Sequence, residues 1–454
     1  MSSAGISFGG LASGLDTKAI ISALVAIEQR PITVLETKKT NFGKQKSLFG
    51  DLQGLLSKLT DAAKAIKTTN DFLAMKAASD DENVLTASAS STATPGTHTV
   101  KVLQLAKAQV NHTSGAASAS TPNGTTLPLE FLLSVGGFDV PISTNDTSLN
   151  GIATAINEAN LAVHAEVVDT GNATNPYQLV VRSTETGSTN GFSITDLSGD
   201  AAAIAVVNDL IANQQNAEDA QIQLNGGVTI TRPTNQISGA IAGVTLSLKS
   251  ETATNAEVTV TIATDAEEIS KKVTEFVDAY NKVVDFVTGQ NKVDGEGKAQ
   301  GLLFGDSTLR SIRSSLRSIV GGVVSTTGNE AYQMLAQIGI TSDRDGKLTF
   351  NQSKLEEALA ADEQAVAAIF TDATNGIAGR LETQLDTFTD SVDGLIKTRQ
   401  EGFDRLIKQT GDRIDQASRR LTLYQQQLEA KYANLETLLG RLQSQGSSLS
   451  SIGK

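Results

Sequence analysis

The chain has 454 residues, enough for two to four domains of roughly 100 to 200 residues each. Its composition, 39% apolar and 19% charged, excludes a disordered polyelectrolyte, and no uninterrupted apolar run approaches the ~18–20 residues that a bilayer-spanning helix needs. The net charge of −13 disfavours nucleic acid as the main partner, and the absence of Cys excludes disulfides, thiol nucleophiles and thiolate metal sites.

The first segment, residues 1–14, contains no Lys or Arg. A secretory signal peptide begins with basic residues and ends at a small-residue cleavage site, whereas the apolar run at residues 19–27 has charged residues on both sides. We therefore expect no cleaved signal peptide. Gly9, Gly10 and Gly14 lack the Lys and Ser/Thr of a phosphate loop and indicate a flexible tail.

The N-terminal flank repeats apolar or small residues every 3.5 positions, which is typical of a coiled coil. They are Phe42, Phe49, Leu52, Leu56, Leu59, Ala63 and Ile66, with Gln45 at one polar position of the stripe. This pattern predicts a long amphipathic helix.

The middle of the chain is predicted to be rich in β-structure. Six of the seven prolines, Pro95 to Pro233, lie here, and short runs of alternating apolar and polar residues are separated by Gly, Asn and Pro. Two hairpins are predicted, one joining residues 129–135 to residues 138–142 and one spanning residues 221–230. Each is followed by a Thr-Asn pair and an Ile-rich segment, which indicates either a faint internal repeat or shared turn chemistry.

Three further helices are predicted downstream of the β-rich region. The first starts from a capping box of Asp265 and Glu268. The second begins near Asp306, and the third begins at Ser353 and ends near Gly376. The predicted buried face of the first consists of Ile269, Val273, Phe276, Tyr280, Val283 and Val287.

The C-terminal flank repeats the coiled-coil pattern over a greater length. The two flanks either pair as an antiparallel hairpin within one monomer or contact neighbouring subunits, and both interpretations can hold together. The candidate coiled-coil and assembly residues of both flanks are Phe42, Phe49, Leu52, Leu56, Leu59, Ile66, Phe403, Ile407, Ile414, Leu421, Tyr424, Leu428, Leu435, Leu438 and Leu442.

Candidate residues for chemistry are few. The three histidines, His98, His112 and His164, show no spacing typical of a metal site. Asp343 and Asp345 resemble part of a calcium loop, but the twelfth position is not Glu, and a turn before a strand at residues 347–350 fits better. The sequence therefore predicts no enzyme, no cofactor and no metal site.

Several sequence blocks occur in a recognisable order. They are ISFGGLASGLD at residues 6–16, then Arg30-Pro31, followed by residues 100–106, 138–157, 243–246, 279–281, 305–307 and 338–340. The first strongly resembles the start of the bacterial flagellar filament cap family, also called the hook-associated protein 2 family, and the others follow in that family's order. Residues 138–157 resemble a flagellin hook motif, and the resemblance is weakest between residues 172 and 221.

Together with the periodicities, the resemblance implies an α+β multidomain fold. Its N- and C-terminal helices would pair as a coiled-coil stalk, joined to a helical body and an inserted β-rich head of one or two small modules. The expected segments are a tail (1–15), an N-terminal leg (16–70), a body in two parts (71–110 and 250–395), a head (111–249, with the hook-like motif near 138–157) and a C-terminal leg (396–454).

The resemblance also implies a function in flagellar assembly. Such a protein would leave the cell through the flagellar type III export apparatus, with a dedicated export chaperone, and form a homo-oligomeric, ring-like cap at the extracellular filament tip. There it would promote folding and insertion of exported flagellin and prevent its loss, without nucleic acid or membrane insertion. Two alternatives remain open: an adhesin that binds host glycans through the head, or another axial protein such as a hook-filament junction protein or flagellin.

Overall fold

The structure is a computed structural model that describes residues 16–124, 128–325 and 331–452. Its α-helices are α1 (Thr17–Lys64), α2 (Thr69–Phe72), α3 (Leu149–Glu158), α4 (Ala201–Ala212), α5 (Ala266–Gln290), α6 (Ser307–Val320), α7 (Gln352–Thr371), α8 (Ile377–Thr389) and α9 (Leu395–Ile452). The predicted tail, with Gly9, Gly10 and Gly14, lies outside the described residues.

Most of the β-strands lie in the middle of the chain, between α2 and α5. They are β1 (Met75–Ser79), β2 (Leu85–Ala89), β3 (Gly96–Gln104), β4 (Val110–His112), β5 (Leu129–Val135), β6 (Phe138–Thr144), β7 (Val163–Asp169), β8 (Tyr177–Ser183), β9 (Phe192–Ser198), β10 (Gln214–Gln215), β11 (Ala220–Leu224), β12 (Val228–Arg232), β13 (Gln236–Ile241), β14 (Val244–Leu248), β15 (Val258–Thr264), β16 (Ile340–Ser342) and β17 (Leu348–Phe350). This mixture of helices and strands confirms the predicted α+β class.

The described chain forms two compact units. The β-rich unit is Leu73–Ile269, and the helical unit contains the described residues through Phe72 and from Ser270 onward. The helical unit is built mainly from α1 and α5 to α9. Its core includes Phe72 and Phe370, whose rings stack at 4.9 Å, with Phe276 edge-on to Phe370 at 6.4 Å.

The three helices predicted after the β-rich region are present, and the predicted face of α5 is buried from Ile269 to Val287. Asp306 caps α6 by accepting a hydrogen bond from the N–H of Thr308 at 2.8 Å. The start of α7 differs from the prediction, because Asn351 rather than Ser353 is the cap and accepts from the N–H of Lys354. Its end at Thr371 is earlier than predicted, because the Asp372 carboxylate takes up following N–H groups in a turn.

A kink inside α7 was not predicted. At Asp362 the backbone leaves the helical region, with φ −160° and ψ 93°. The Asp362 carboxylate accepts a hydrogen bond from the N–H of Ala365 at 2.9 Å, as an N-cap does when a new helix begins. The predicted turn before β17 is confirmed, since the Asp343 carboxylate accepts from the N–H of Lys347 within the β16–β17 hairpin.

The β-rich unit contains an inner module with two antiparallel sheets. Their strand orders are β1-β15-β3-β11-β12 and β13-β14-β2. The core between them includes Leu85, Val100, Ile222, Leu246 and Val260, all fully buried. The β11–β12 hairpin confirms the prediction for residues 221–230, and its turn contains Asn225 and Gly226 at φ 48° and 71°, as a tight hairpin turn requires.

Residues 107–218 form a second, outer module inserted between β3 and β11. Its sheets have the orders β10-β4-β8-β7 and β6-β5-β9, with α3 and α4 against them. The β5–β6 pairing confirms the other predicted hairpin. The predicted head of residues 111–249 differs from this division, because β12 to β14 pair with strands of the inner module.

The suggested internal repeat is not present in the structure. After the first hairpin, Thr144 and Asn145 lead to the helix α3, whereas Thr234 and Asn235 after the second lead to the strand β13. The two segments therefore share turn chemistry and not a fold.

Candidate assembly interface

The helices α1 and α9 pack side by side in antiparallel directions. The ring of Phe403 lies 6.4 Å from that of Phe42 and 5.8 Å from that of Phe49. Beside this cluster the Lys46 ammonium and the Asp404 carboxylate form an ion pair of 2.6 Å. The two terminal flanks thus pair within one monomer, as one of the two sequence interpretations held.

A polar layer ties this helix pair to the loop before α6. The side-chain amide of Gln45 donates to the carbonyl of Leu302 at 2.7 Å. Arg399 pairs with the nearly buried Asp306 carboxylate at 2.6 Å, and its guanidinium lies 5.4 Å from the Phe403 ring centre. The sequence showed Gln45 as a polar interruption and gave no sign of its partner, because Leu302 is distant in the chain.

The C-terminal end of α1 and Lys67, which follows it, contact the helix α8. Glu382 of α8 pairs with Lys67 at 2.6 Å and lies 3.8 Å from Lys64. A hydrogen bond to Lys67 and the charges of both lysines hold the pKa of Glu382 below its usual value, and the same hydrogen bond raises the pKa of Lys67. Phe42 and Phe49 of α1 therefore pack on α9, while the end of α1 lies beside α8.

The candidate assembly residues fall into three groups by exposure. Those buried in the chain are Phe49, Leu52, Leu56, Leu59, Ile66, Phe403 and Leu428. Those half-buried along the α1–α9 pair are Phe42, Ile407, Ile414, Leu421 and Tyr424. Those exposed are Leu435, Leu438 and Leu442, at 40%, 54% and 54%.

The exposed group lies where α9 extends past the start of α1. Lys46 pairs with Asp404, and the antiparallel register then brings Asp16, the N-cap of α1, level with about Asn434. We call residues 435–448 the overhang. Its leucines continue the stripe that faces α1 farther down, but no described residue of α1 lies opposite them.

Four amide side chains, which we call the amide clamps, each bind the backbone N–H and C=O of one distant residue. Asn157 holds Ala165, Asn235 holds Ala106, Asn281 holds Leu348 and Gln109 holds Phe192, with hydrogen bonds of 2.7 to 3.0 Å. Sequence reasoning did not find this role. The available signal was the presence of Asn157 and Asn281 within the blocks that carry the family resemblance.

The described residues offer neither a metal site nor a membrane-spanning helix. Within residues 16–124, 128–325 and 331–452, no group of three or more His, Cys, Asp or Glu side chains is arranged to hold a metal ion. No described helix is both long and apolar enough to cross a bilayer. His98 contacts the side chain of Asn225 at 3.3 Å, beside the hairpin turn.

Two family sequence profiles match the chain in order. "Flagellar hook-associated protein 2 N-terminus" matches residues 13–109, and "Flagellar hook-associated protein 2 C-terminus" matches residues 217–444, half of the chain by itself. The chain belongs to the flagellar hook-associated protein 2 family. The stretch between the two profiles coincides closely with the outer module.

Relatives within the hook-associated protein 2 family match along nearly the whole chain. The protein of this name from Escherichia coli (strain K12) is 29% identical, covering 98% of this chain and 97% of its own. The A-type protein from Pseudomonas aeruginosa is 28% identical, covering 95% and 94%. A crystal structure of the D1-D2-D3 domains of the flagellar cap protein FliD from Escherichia coli is 30% identical with a TM-score of 0.64, covering 79% of this chain and 99% of that one.

Membership of the hook-associated protein 2 family confirms the predicted family and the filament-cap function. The family consists of structural cap proteins, so the prediction that the chain is not an enzyme is also confirmed. The chain is therefore associated with the flagellum and acts within an oligomeric cap. None of the relatives named above is described as an adhesin.

Proposed function

We propose that this chain forms a homo-oligomeric, ring-like cap at the distal tip of the filament, where it promotes folding and insertion of flagellin and prevents loss of the exported subunits. In this proposal it reaches the tip through the flagellar type III export apparatus, without a cleaved signal peptide and with a dedicated export chaperone. Host glycan binding by the head stays an untested prediction outside this proposal.

The observation that carries the proposal is the α1–α9 pair with its overhang. An apolar stripe normally ends where its partner helix ends, because exposed leucines favour association. Here Leu435, Leu438 and Leu442 continue the stripe beyond Asp16 and are 40–54% exposed. We assign this stalk the role of the leg that contacts flagellin. The β-rich unit Leu73–Ile269 then forms the exposed, plate-like part of the cap.

The test is complementation of a strain that lacks its own cap protein. The full chain is supplied either unchanged or with Leu435→Ser, Leu438→Ser and Leu442→Ser together. Since these side chains are exposed, their replacement should not unfold the chain. We expect the triple variant to be exported at normal levels while filaments stay short and flagellin accumulates in the medium. The matched control is Leu423→Ser, which changes a leucine of α9 that is 58% exposed outside the stripe.

Electron microscopy with an antibody against the chain completes the test. Label at the distal tip of filaments made with the unchanged chain supports the proposal. Filaments of full length with the triple variant would show that the overhang is not the contact. Label at the hook or along the shaft would overturn the tip location.

A further inference from the structure

The two chain connections between the outer and the inner module lie side by side, and we call this point the crossing. The chain leaves β3 through Lys107 and returns through Glu218 to β11. The backbones of Lys107 and Glu218 exchange hydrogen bonds of 2.9 and 3.1 Å, and their side chains form an ion pair of 2.9 Å. Because both connections cross at the same place, rotation about this crossing is compatible with the covalent structure.

A turn of the outer module reaches across to the inner module beside this crossing. We call Thr186, Gly187 and Ser188 the latch turn. The hydroxyl of Thr186 donates to the carbonyl of Pro233 at 2.7 Å. The N–H and hydroxyl of Ser188 donate to the two oxygens of the Asp219 carboxylate at 2.7 and 2.8 Å. These bonds join the outer module to two different segments of the inner module.

The latch turn is shaped for this close approach. Gly187 has φ +100°, a conformation that favours glycine, and a Cβ at this position would lie 2.5 Å from the Cβ of Pro233. Its N–H donates to the carbonyl of Lys107 at 3.1 Å, which ties the latch turn to the crossing itself. In the inner module, the side-chain amide of Gln104 donates to the carbonyl of Asp219 at 3.0 Å. Asp219, which accepts from Ser188, is therefore itself fixed to β3.

The apolar cores of the two modules share no residue. The latch contacts are hydrogen bonds at largely exposed positions, and such contacts open more readily than a packed apolar core. We propose that the latch turn fixes the orientation of the outer module, and that its release lets this module rotate about the Lys107–Glu218 crossing. This rotation goes beyond the capping function, since it changes the orientation of the outer module while both modules stay folded.

The test measures the distance between the modules in the full chain. Cysteines introduced by Lys76→Cys on β1 and Ser143→Cys on β6, both exposed, carry spin labels for pulsed electron paramagnetic resonance, and the absence of native Cys prevents labelling elsewhere. The latch variant combines Thr186→Val with Asp219→Ala. The control is Asp169→Ala, which removes the carboxylate that accepts from the N–H of Gly171 in an outer-module loop away from the latch.

We expect a narrow distance distribution in the unchanged chain and in the control, and a clearly broader one in the latch variant. Hydrogen exchange at Ser188 should accelerate roughly fivefold or more in the latch variant, because its N–H loses its acceptor. Unchanged width in the latch variant overturns the proposal, and so does equal broadening in the control, which would indicate general softening. Should the latch variant lose its circular dichroism signal, Asp219→Ala alone, which removes both bonds from Ser188 and leaves Thr186 in place, is measured against the same two outcomes. These measurements use the isolated chain, so they do not depend on the capping proposal.

Discussion

The amide clamp of Asn281 on Leu348 makes a quantitative prediction. Asn281 of α5 donates to the carbonyl of Leu348 and accepts from its N–H, both at 2.8 Å, and so fastens the β16–β17 hairpin to the helical unit. Asn281→Ala removes both hydrogen bonds at once. Because Leu348 is only 4% exposed, its backbone groups would have little access to replacement water.

The expected loss follows from these two bonds. Each is worth about 0.5–1.5 kcal/mol net, and a buried group left without a partner costs about 1–3 kcal/mol. We therefore expect Asn281→Ala to lower the free energy of opening of the hairpin by about 2–4 kcal/mol, which corresponds to roughly 30- to 1,000-fold faster amide exchange where this opening limits exchange.

Hydrogen exchange of the peptide that contains Leu348 is the appropriate assay, because a chain with several modules need not unfold in one step. The matched control is Asn157→Ala, which removes the same kind of clamp from Ala165 in the outer module and should leave exchange at Leu348 unchanged. Acceleration below about threefold at Leu348 in Asn281→Ala would refute the reasoning, since it would mean that water replaces both bonds at little cost.

Two further predictions concern the helical unit. Burial raises the pKa of Tyr280 to about 12, opposed by the charges of Arg317 and Arg313. The unfolded chain ionises this phenol near pH 10 and the folded chain only near 12, so stability should fall as pH rises between these values, by up to about 1.4 kcal/mol per pH unit. Urea unfolding at pH 9, 10 and 11 should show a shallower loss in Tyr280→Phe, and an identical pH slope would count against this assignment. In the stalk, Phe403→Ala should cost about 3–4 kcal/mol through the lost contacts with Phe42 and Phe49. Hydrogen exchange of the peptides around Phe403 measures this cost, with the exposed Leu423→Ala as the control, and equal effects of the two changes would contradict a stalk held by the phenylalanine cluster.

The stalk was predictable because its signal is local. A repeat of 3.5 residues is visible in any short window, and both α1 and α9 follow it. The hairpin turns were predictable for the same reason, since Asn225 and Gly226 specify a tight turn by themselves. What the stripe could not show is where its partner ends, and so which leucines become the overhang.

The division of the β-rich unit depends on pairing between distant segments. β3 pairs with β11 and β15, and β2 pairs with β14, so the inner module is assembled from residues before and after the outer one. Alternation along each strand reports which face is buried and says nothing about the partner strand. The amide clamps escaped notice similarly, because each side chain binds the backbone of another segment, and nothing in the sequence around Asn157 or Asn281 indicates that partner.

The way the outer module enters the chain has a consequence for how such proteins can vary. β3 and β11 are neighbouring antiparallel strands, with Val102 opposite Ile222, so the inner sheet would close as an ordinary hairpin if Ala106 were joined to Asp219 by a short turn. The outer module is thus an extension of one hairpin loop, and its replacement leaves the strand order of the inner sheet intact. Surface properties of the outer module can therefore change at little cost to the folding of the inner sheet.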